Sequence, residues 1–378
     1  MTAEIILITG GAGFIGSHLA DALLQGGYEV CIFDSLVTQV HAGARERNEW
    51  PGYLAPECEK VLGDVRDREA LLRVLKRVDV VFHMAAATGV GQSMYKIENC
   101  VDSNVRGTSI LLDILANETQ HVRKLVIPSS NTIYGEGTYR CKEHGAVYPQ
   151  ARAKDHIEAR DWELHCTICG QPVSPLPTPE PKPLNPASIY AITKQTQEQM
   201  CLTVGRAYNI PTVALRYFNV YGPRQALSNP YTGLISTFLC RLLNDHPPLI
   251  YEDGCQTRDL VHIRDIVQAN LMAMLQEEMD YGIFNVGTGR ALSVIEIANA
   301  LIRHFPGEGK EAEITNRYRT GDIRHCFANI SRIQERGYRP QVQFEQGVLD
   351  VINWVKGQQA DDRTDQAQKE LTSRRLTL

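Results

Sequence analysis

In the stretch "SIYAITK", residues 188–194, a tyrosine stands four positions before a lysine. On a helix Tyr190 and Lys194 are one turn apart and share a face. Most such pairs only cover a solvated surface. Beside a hydroxyl and a hydride acceptor, the same pair could move a proton. A phenol with a pKa of about 10 is a poor base at neutral pH. A neighbouring cation favours the phenolate, which can then take the proton of a substrate hydroxyl. The hydroxyl is offered by "VRKLVIPSSNTIYG", an apolar run ending in Ser129, Ser130 and Tyr134. Ser130 would hold the substrate oxygen in line.

A second constellation lies between these two. Cys141 and His144 form C-x-x-H, and Cys166 and Cys169 form C-x-x-C after a 21-residue loop. Two short hooks of this kind suit a tetrahedral structural zinc with three sulfurs and one nitrogen. His165 is a rival ligand, and four unconnected reduced residues are the plain alternative. The loop between the hooks is polar and is expected to bury little core, a lack that a metal would offset. Four protein ligands leave no open position, so the site would not be catalytic.

The elements that must position the pair are legible from the N-terminus. "EIILITG" is a short apolar run, the pattern of a buried parallel strand. It runs into "GGAGFIGSHLADALLQGG", where Gly10, Gly13 and Gly16 are spaced G-x-x-G-x-x-G and Phe14, Ile15, Leu19, Leu23 and Leu24 follow at helical spacing. Gly26 and Gly27 stop the helix. The next strand, "YEVCIFD", ends in Asp34. The glycines admit a pyrophosphate to the helix N-terminus, and Asp34 can accept hydrogen bonds from an adenosine ribose. A carboxylate there repels a ribose phosphate, which favours NAD over NADP. "EKVLGDVRD" adds a strand and Asp64, placed to meet an adenine amino group. "VDVVFHMAAA" adds a strand ending in small residues. Strands alternating with helices predict a doubly wound parallel sheet, with ligands at the strands' C-terminal ends. A Gly-rich turn in an unrelated α/β protein is the alternative.

Together these segments resemble the extended short-chain dehydrogenase/reductase family, specifically its nucleotide-sugar epimerases and dehydratases. The resemblance rests on "ITGGAGFIGSHL", "GDVRD", "HMAAA", "SNVRGT", "SSNTIYG", "YAITK", "ALRYFNVYGPRQ", "DGCQTRDLVHIRDIV" and "FNVGTG", and it spans roughly residues 4–355 apart from one insertion. It implies catalytic roles for Ser130, Tyr190 and Lys194. It implies NAD contacts from Gly10, Gly13, Phe14, Ile15, Gly16, Asp34, Asp64, Val65, Met84, Ala85, Ala86, Ser103, Tyr190, Lys194 and Phe218. A smaller C-terminal lobe would hold the substrate through Ser130, Asn219, Arg258, Arg319 and Cys326, the two arginines on the diphosphate. Cys326 falls where UDP-galactose 4-epimerases carry a residue that limits space around the sugar, and cysteine is small. Packing alone is the other reading of Cys326, and a surface ion pair that of each arginine. In the 4,6-dehydratase branch an Asp and a Glu follow the strand hydroxyl. Here those positions are Asn131 and Thr132, which cannot transfer that proton.

The expected activity is therefore an NAD-dependent 4-epimerase acting through a transient 4-keto sugar. "GVGQSMY", "QALSNPYTG" and "YRTGDIRHCFANI" resemble bacterial dTDP-L-rhamnose 4-epimerases. A reductase or decarboxylase, and a non-catalytic NAD-binding scaffold, are the competing classes. The expected organisation is a Rossmann domain over 1–215 carrying a zinc-ribbon-like insertion at 138–185, an interleaved α/β substrate lobe over 216–355, and a flexible tail over 356–378. The insertion ends in "PVSPLPTPEPKPLNP", a stiff proline-rich return to the Tyr190 helix, and is expected to shape a lid at the substrate mouth. His83, His262 and His325 read as structural. Helices 100–117 and 189–208 are expected to form a homodimer interface, although their apolar residues could equally be monomer core.

Composition excludes other classes. The 378 residues are 43% hydrophobic and 22% charged, with a net charge of −5, so no basic field suits a nucleic acid. No apolar run approaches the roughly 20 residues of a bilayer span. "MTAEIILITGG" lacks the basic start and cleavage site of an export signal. Ten scattered cysteines then suggest reduced thiols and a cytoplasmic enzyme.

Overall fold

The computed structural model describes residues 4–41, 44–47, 49–231, 233–305, 307 and 311–377. The apolar runs of the first half become strands β1 (Ile5–Thr9), β2 (Glu29–Asp34), β3 (Glu59–Leu62), β4 (Val80–His83) and β5 (Lys124–Ser130). Two later strands, β6 (Thr212–Tyr217) and β7 (Ile283–Val286), extend the same sheet. All seven are parallel, in the order β7-β6-β5-β4-β1-β2-β3. Such strands are buried on both faces, which is why they read as continuous apolar runs. Ile6 and Ile8 join Val80, Phe82 and Val126 in one core, while Leu7 joins Val81, Leu125 and Ile127 in the other.

The strand order reverses between β1 and β4, and a crevice opens there beyond the strand ends. The helices Phe14–Gln25 and Ile189–Ala207 carry residues that face it. The helix Phe14–Gln25 follows β1, and Gly27 ends it at φ +82°. The helix Arg68–Leu75 starts on Asp67, whose carboxylate accepts the Ala70 N–H. The 19-residue helix Ile189–Ala207 starts on Ser188, whose hydroxyl accepts the Ala191 N–H at 3.2 Å. Such caps satisfy N–H groups that the helix itself cannot.

The helices Leu234–Leu243, Val294–Ile302 and Phe344–Val355 enclose a separate apolar core, with Phe238, Leu239, Ile297, Leu301, Val351 and Ile352 fully buried. The two halves interleave. The helix Ile263–Leu275 packs Ile266, Ala269 and Ala273 into the core that holds Leu19 and Leu23.

The insertion forms an antiparallel sheet in which Thr138–Cys141 pairs with Gly145–Val147 and with Ser174–Leu176. It buries a small core after all, of Tyr139, Cys141, Val147, Leu164, Cys166 and Val173. Another departure concerns the tail. Instead of a loose end, Thr364–Ser373 is a helix that buries Ala367 and Leu371. Its apolar residues are few, but a short helix needs only one covered side when an existing surface receives it. Among the described residues no helix is long and apolar enough to cross a membrane. All ten cysteines are free thiols.

Candidate active site

A cleft of about 1570 Å3 runs along the strand ends. At one end lies the glycine turn. A side chain at Gly10 would place its Cβ 2.8 Å from the backbone of Ala85, and one at Gly16 would come within 2.7 Å of the Gly10 carbonyl. The turn can pack this tightly only without side chains. No side chain caps the helix that begins at Phe14, so its first N–H groups remain available to an anion.

Asp34 closes β2 beside this turn. Its carboxylate accepts the Ala12 N–H at 3.0 Å and the Leu36 N–H at 2.8 Å. It is 8% exposed, and burial raises its pKa while these bonds oppose the rise. Asp64 is held by Arg66, which donates to both its oxygens and also to Asp102. Val65, Met84, Ala85, Ala86, Ser103 and Phe218 line the same cleft, as do Gly13, Phe14, Ile15 and Gly16. The donors and the shape fit a dinucleotide: uncapped N–H groups for a pyrophosphate, and a carboxylate for a ribose.

Ser130, Tyr190 and Lys194 line the same cleft. β5 delivers Ser130 at its last position, and the Ile189–Ala207 helix packs beside β5. Lys194 is 4% exposed and donates to the Pro128 carbonyl at 2.8 Å. Burial pushes its ammonium down to about 8. Burial also pushes Tyr190 up to about 12, with the Ser130 hydroxyl pulling the other way. In the chain without its cofactor, burial outweighs whatever the nearby ammonium contributes to the phenolate. Further positive charge must reach the phenol before it can act as a base.

Three positioning contacts escaped the sequence reading. Thr132 donates to the Ser130 hydroxyl oxygen from its N–H at 3.2 Å and from its own hydroxyl at 2.9 Å. Ser130 thus accepts twice, which leaves its own proton for the Tyr190 phenol beside it. Ser93 accepts the Tyr190 N–H at 3.0 Å. Asn104 is fully buried and joins the Ala87 backbone to the Thr193 hydroxyl. It sits in the "SNVRGT" segment, so the signal was present. The tail helix was missed as well. Leu371 and Gln368 line the cleft, and Glu370 accepts from Tyr95 and Tyr231.

Asn219, Arg258 and Arg319 line the cleft as well. The Asn219 side-chain oxygen is buried without a hydrogen-bond partner, a group that a ligand could satisfy. Arg258 donates to the carbonyls of Thr257, Ile323 and Arg324. Arg319 is held by Asp322 at 2.8 Å. Cys326 is not among the residues lining the cleft. It is 1% exposed and packs with its sulfur toward Thr178. Nor does any residue of 138–185 line the cleft, so the insertion stands behind the wall and is not a lid.

The ligating atoms of Cys141, His144, Cys166 and Cys169 all lie within 4.8 Å of one another. Zinc–ligand distances imply a sulfur–sulfur edge of about 3.8 Å and a sulfur–nitrogen edge of about 3.6 Å in a tetrahedron. The observed Cys141–Cys169 separation is 3.7 Å, and His144 Nδ1 is 3.5 Å from Cys141 and 3.7 Å from Cys166. His165 turns away toward Asp161, at 3.8 Å. The three histidines read as structural are themselves buried and have protein partners. His83 bridges Thr9 and Thr108, His262 accepts the Arg264 N–H, and His325 meets Glu163.

Residues 6–154 and 166–287 match the model of the NAD dependent epimerase/dehydratase family; the gap between them falls inside the insertion. A dTDP-L-rhamnose 4-epimerase of Burkholderia thailandensis is 32% identical over 93% of this chain and 94% of its own. A putative UDP-glucose 4-epimerase of Methanocaldococcus jannaschii is 33% identical over 93% of this chain and 98% of its own. Among solved structures, the UDP-glucuronic acid 4-epimerase of Bacillus cereus, in complex with UDP-glucuronic acid and NAD, superimposes with a TM-score of 0.72. It is 26% identical and covers 93% of this chain and 99% of its own.

Proposed function

Because the chain belongs to the NAD dependent epimerase/dehydratase family, we propose that it is a nucleotide-sugar 4-epimerase, inverting carbon 4 of an NDP-hexose through a transient 4-keto sugar. The observation that carries this reading is the meeting of Ser130, Tyr190 and Lys194 in one cleft, with Asn131 and Thr132 in place of dehydratase acids. NAD bound in the cleft supplies the hydride acceptor, and its positive ring supplies the charge the phenol lacks. The chain's own residues do the rest. Asp34 and the N-terminus of the Phe14–Gln25 helix hold the ribose and pyrophosphate. Tyr190 takes the proton of the sugar 4-hydroxyl and later returns it. Ser130 turns its proton from the phenol to the sugar oxygen and keeps that oxygen in line. Lys194 adds positive potential beside the phenol.

Arg258, Arg319 and Asn219 are the groups we assign to the nucleotide diphosphate, since guanidinium forks suit phosphate oxygens. The 32% identity to the Burkholderia enzyme supports dTDP-L-rhamnose, and its 4-epimer dTDP-6-deoxy-L-talose, as the first pair to try. We assign a structural zinc to Cys141, His144, Cys166 and Cys169 on the ligand distances above. A homodimer through the helices near 97–117 and 189–207 is supported by exposed Ile97, Val101 and Ile192. The deciding experiment is a panel of dTDP-, UDP- and GDP-sugars without added oxidant, with products identified by nuclear magnetic resonance. Conversion to a 4-epimer, lost in Tyr190→Phe, is expected. Full turnover in Tyr190→Phe, or a strict need for stoichiometric NAD, would overturn the assignment.

A further inference from the structure

The segment Tyr318–Cys326 forms the wall on which both diphosphate-facing arginines depend. Arg319 belongs to it. Arg258 reaches it through the carbonyls of Ile323 and Arg324, at 2.8 and 3.1 Å. The outer side of this wall is gripped by the insertion and its base, at four successive points.

Arg152 is the first grip. Its side chain is 2% exposed. It stacks 5.1 Å from the Tyr318 ring and donates to the Asp322 carbonyl at 3.4 Å. Its other bonds go to Glu252 at 2.7 Å and to the Trp162 carbonyl at 3.2 Å. Ile157 and Trp162 close an apolar cluster with Tyr318. Asp322, whose backbone Arg152 holds, is the residue whose carboxylate holds Arg319. Glu163 is the second grip, accepting from Arg324 Nε at 3.0 Å and lying 3.1 Å from His325 Nε2. Arg324, 1% exposed, also pairs with Glu252 and Asp253. Glu136 is the third, accepting the Arg324 N–H at 2.9 Å. The Gly137 N–H is the fourth, donating to the His325 carbonyl at 2.9 Å.

These grips are not scattered along the insertion. Glu136 and Tyr139, hydrogen-bonded at 2.9 Å, lead directly into Cys141. Glu163 lies three residues before Cys166. The Cys/His cluster therefore ties together the two chain ends that hold the wall.

We propose that the 138–185 insertion is a brace that sets the affinity of the cleft for its diphosphate-bearing substrate, with Arg152 and Glu163 as positioning residues for Arg319 and Arg258. This rests on the reading that those two arginines hold the diphosphate. A brace of this kind acts on binding and not on the proton transfer, because Ser130, Tyr190 and Lys194 are carried by β5 and its neighbouring helix. Loosening the wall should therefore separate KM from kcat.

The test uses the full chain with its bound cofactor, as Arg152→Met and Glu163→Gln. UDP and dTDP are the binding probes, titrated by calorimetry, alongside KM, kcat and bound NAD. Both variants are expected to bind the nucleotide five- to tenfold or more weakly, with a matching rise in KM. NAD content should be unchanged and kcat should stay within about twofold. Arg152→Lys, which keeps the charge facing Glu252, should recover part of the loss. Unchanged nucleotide affinity in a folded variant overturns the brace, as does a loss that falls equally on NAD or on kcat. Glu163 is half exposed, so Glu163→Gln provides the answer should Arg152→Met fail to fold. A wild-type protein that binds neither nucleotide would instead overturn the reading of the two arginines, on which the brace depends.

Discussion

Replacing Lys194 by methionine should make the cofactor-free protein more stable while destroying its activity. Lys194 is 4% exposed, and its hydrogen bond goes to the Pro128 carbonyl rather than to a carboxylate. Burial lowers its pKa from the ordinary 10.5 to about 8. That gap corresponds to roughly 3 kcal/mol of penalty for keeping the ammonium in the fold. The sign follows from proton counting. Between the two values the unfolded chain holds a proton that the folded one has released, so stability rises with pH across that interval. The penalty is full below pH 8 and relieved by about pH 10.5. Methionine fills a similar volume and removes the penalty, but forfeits the bond to Pro128, worth about 1 kcal/mol. At pH 7 the variant should be more stable by roughly 2 kcal/mol. The assay is urea unfolding of nucleotide-free protein at pH 7 and pH 10, with turnover measured in parallel. The advantage should shrink at the higher pH, and turnover should fall by about 100-fold or more. A variant less stable than wild type at pH 7, or one whose difference does not change with pH, would refute the argument. The stored cost is the kind of local conflict expected where function and stability compete.

Further outcomes follow from other contacts. Asp34→Ala removes the acceptor of two N–H groups and of the ribose, so NAD should bind at least about tenfold more weakly; fluorescence titration reads this, and Asp34→Asn should lose less. If the proposed zinc site is right, elemental analysis should find one zinc ion per chain and none in Cys166→Ser, which should also show an earlier thermal transition, since a structural metal contributes folding energy directly. Truncation after residue 360 removes Glu370 from Tyr95 and Tyr231 and Leu371 from the cleft wall. It should raise KM for the sugar nucleotide while leaving NAD binding intact, as steady-state kinetics would report.

Much of this protein is local in sequence and was legible there. The dinucleotide half announces itself because its demands are local: a tight turn needs Gly10 and Gly16, and a strand buried on both faces must be apolar throughout. Tyr190 and Lys194 share a helix, so four residues of spacing already place them on one face. Cys141, His144, Cys166 and Cys169 were recognisable as two hooks for the same reason. What only the tertiary structure decided are relations between distant segments. The low exposure that perturbs Lys194 and Tyr190 arises from packing against β5, and spacing carries no information about solvent access. Cys326 turned out to be packing, because whether a strand residue faces a cleft depends on which sheet it joins. The tail became a wall, since a surface elsewhere in the chain was waiting to cover its few apolar residues. The insertion meets the segment that carries Arg319 through ion pairs spanning up to about 160 residues. Charges that far apart in the chain meet only after the fold has brought them together, and no local pattern records which partner each will find.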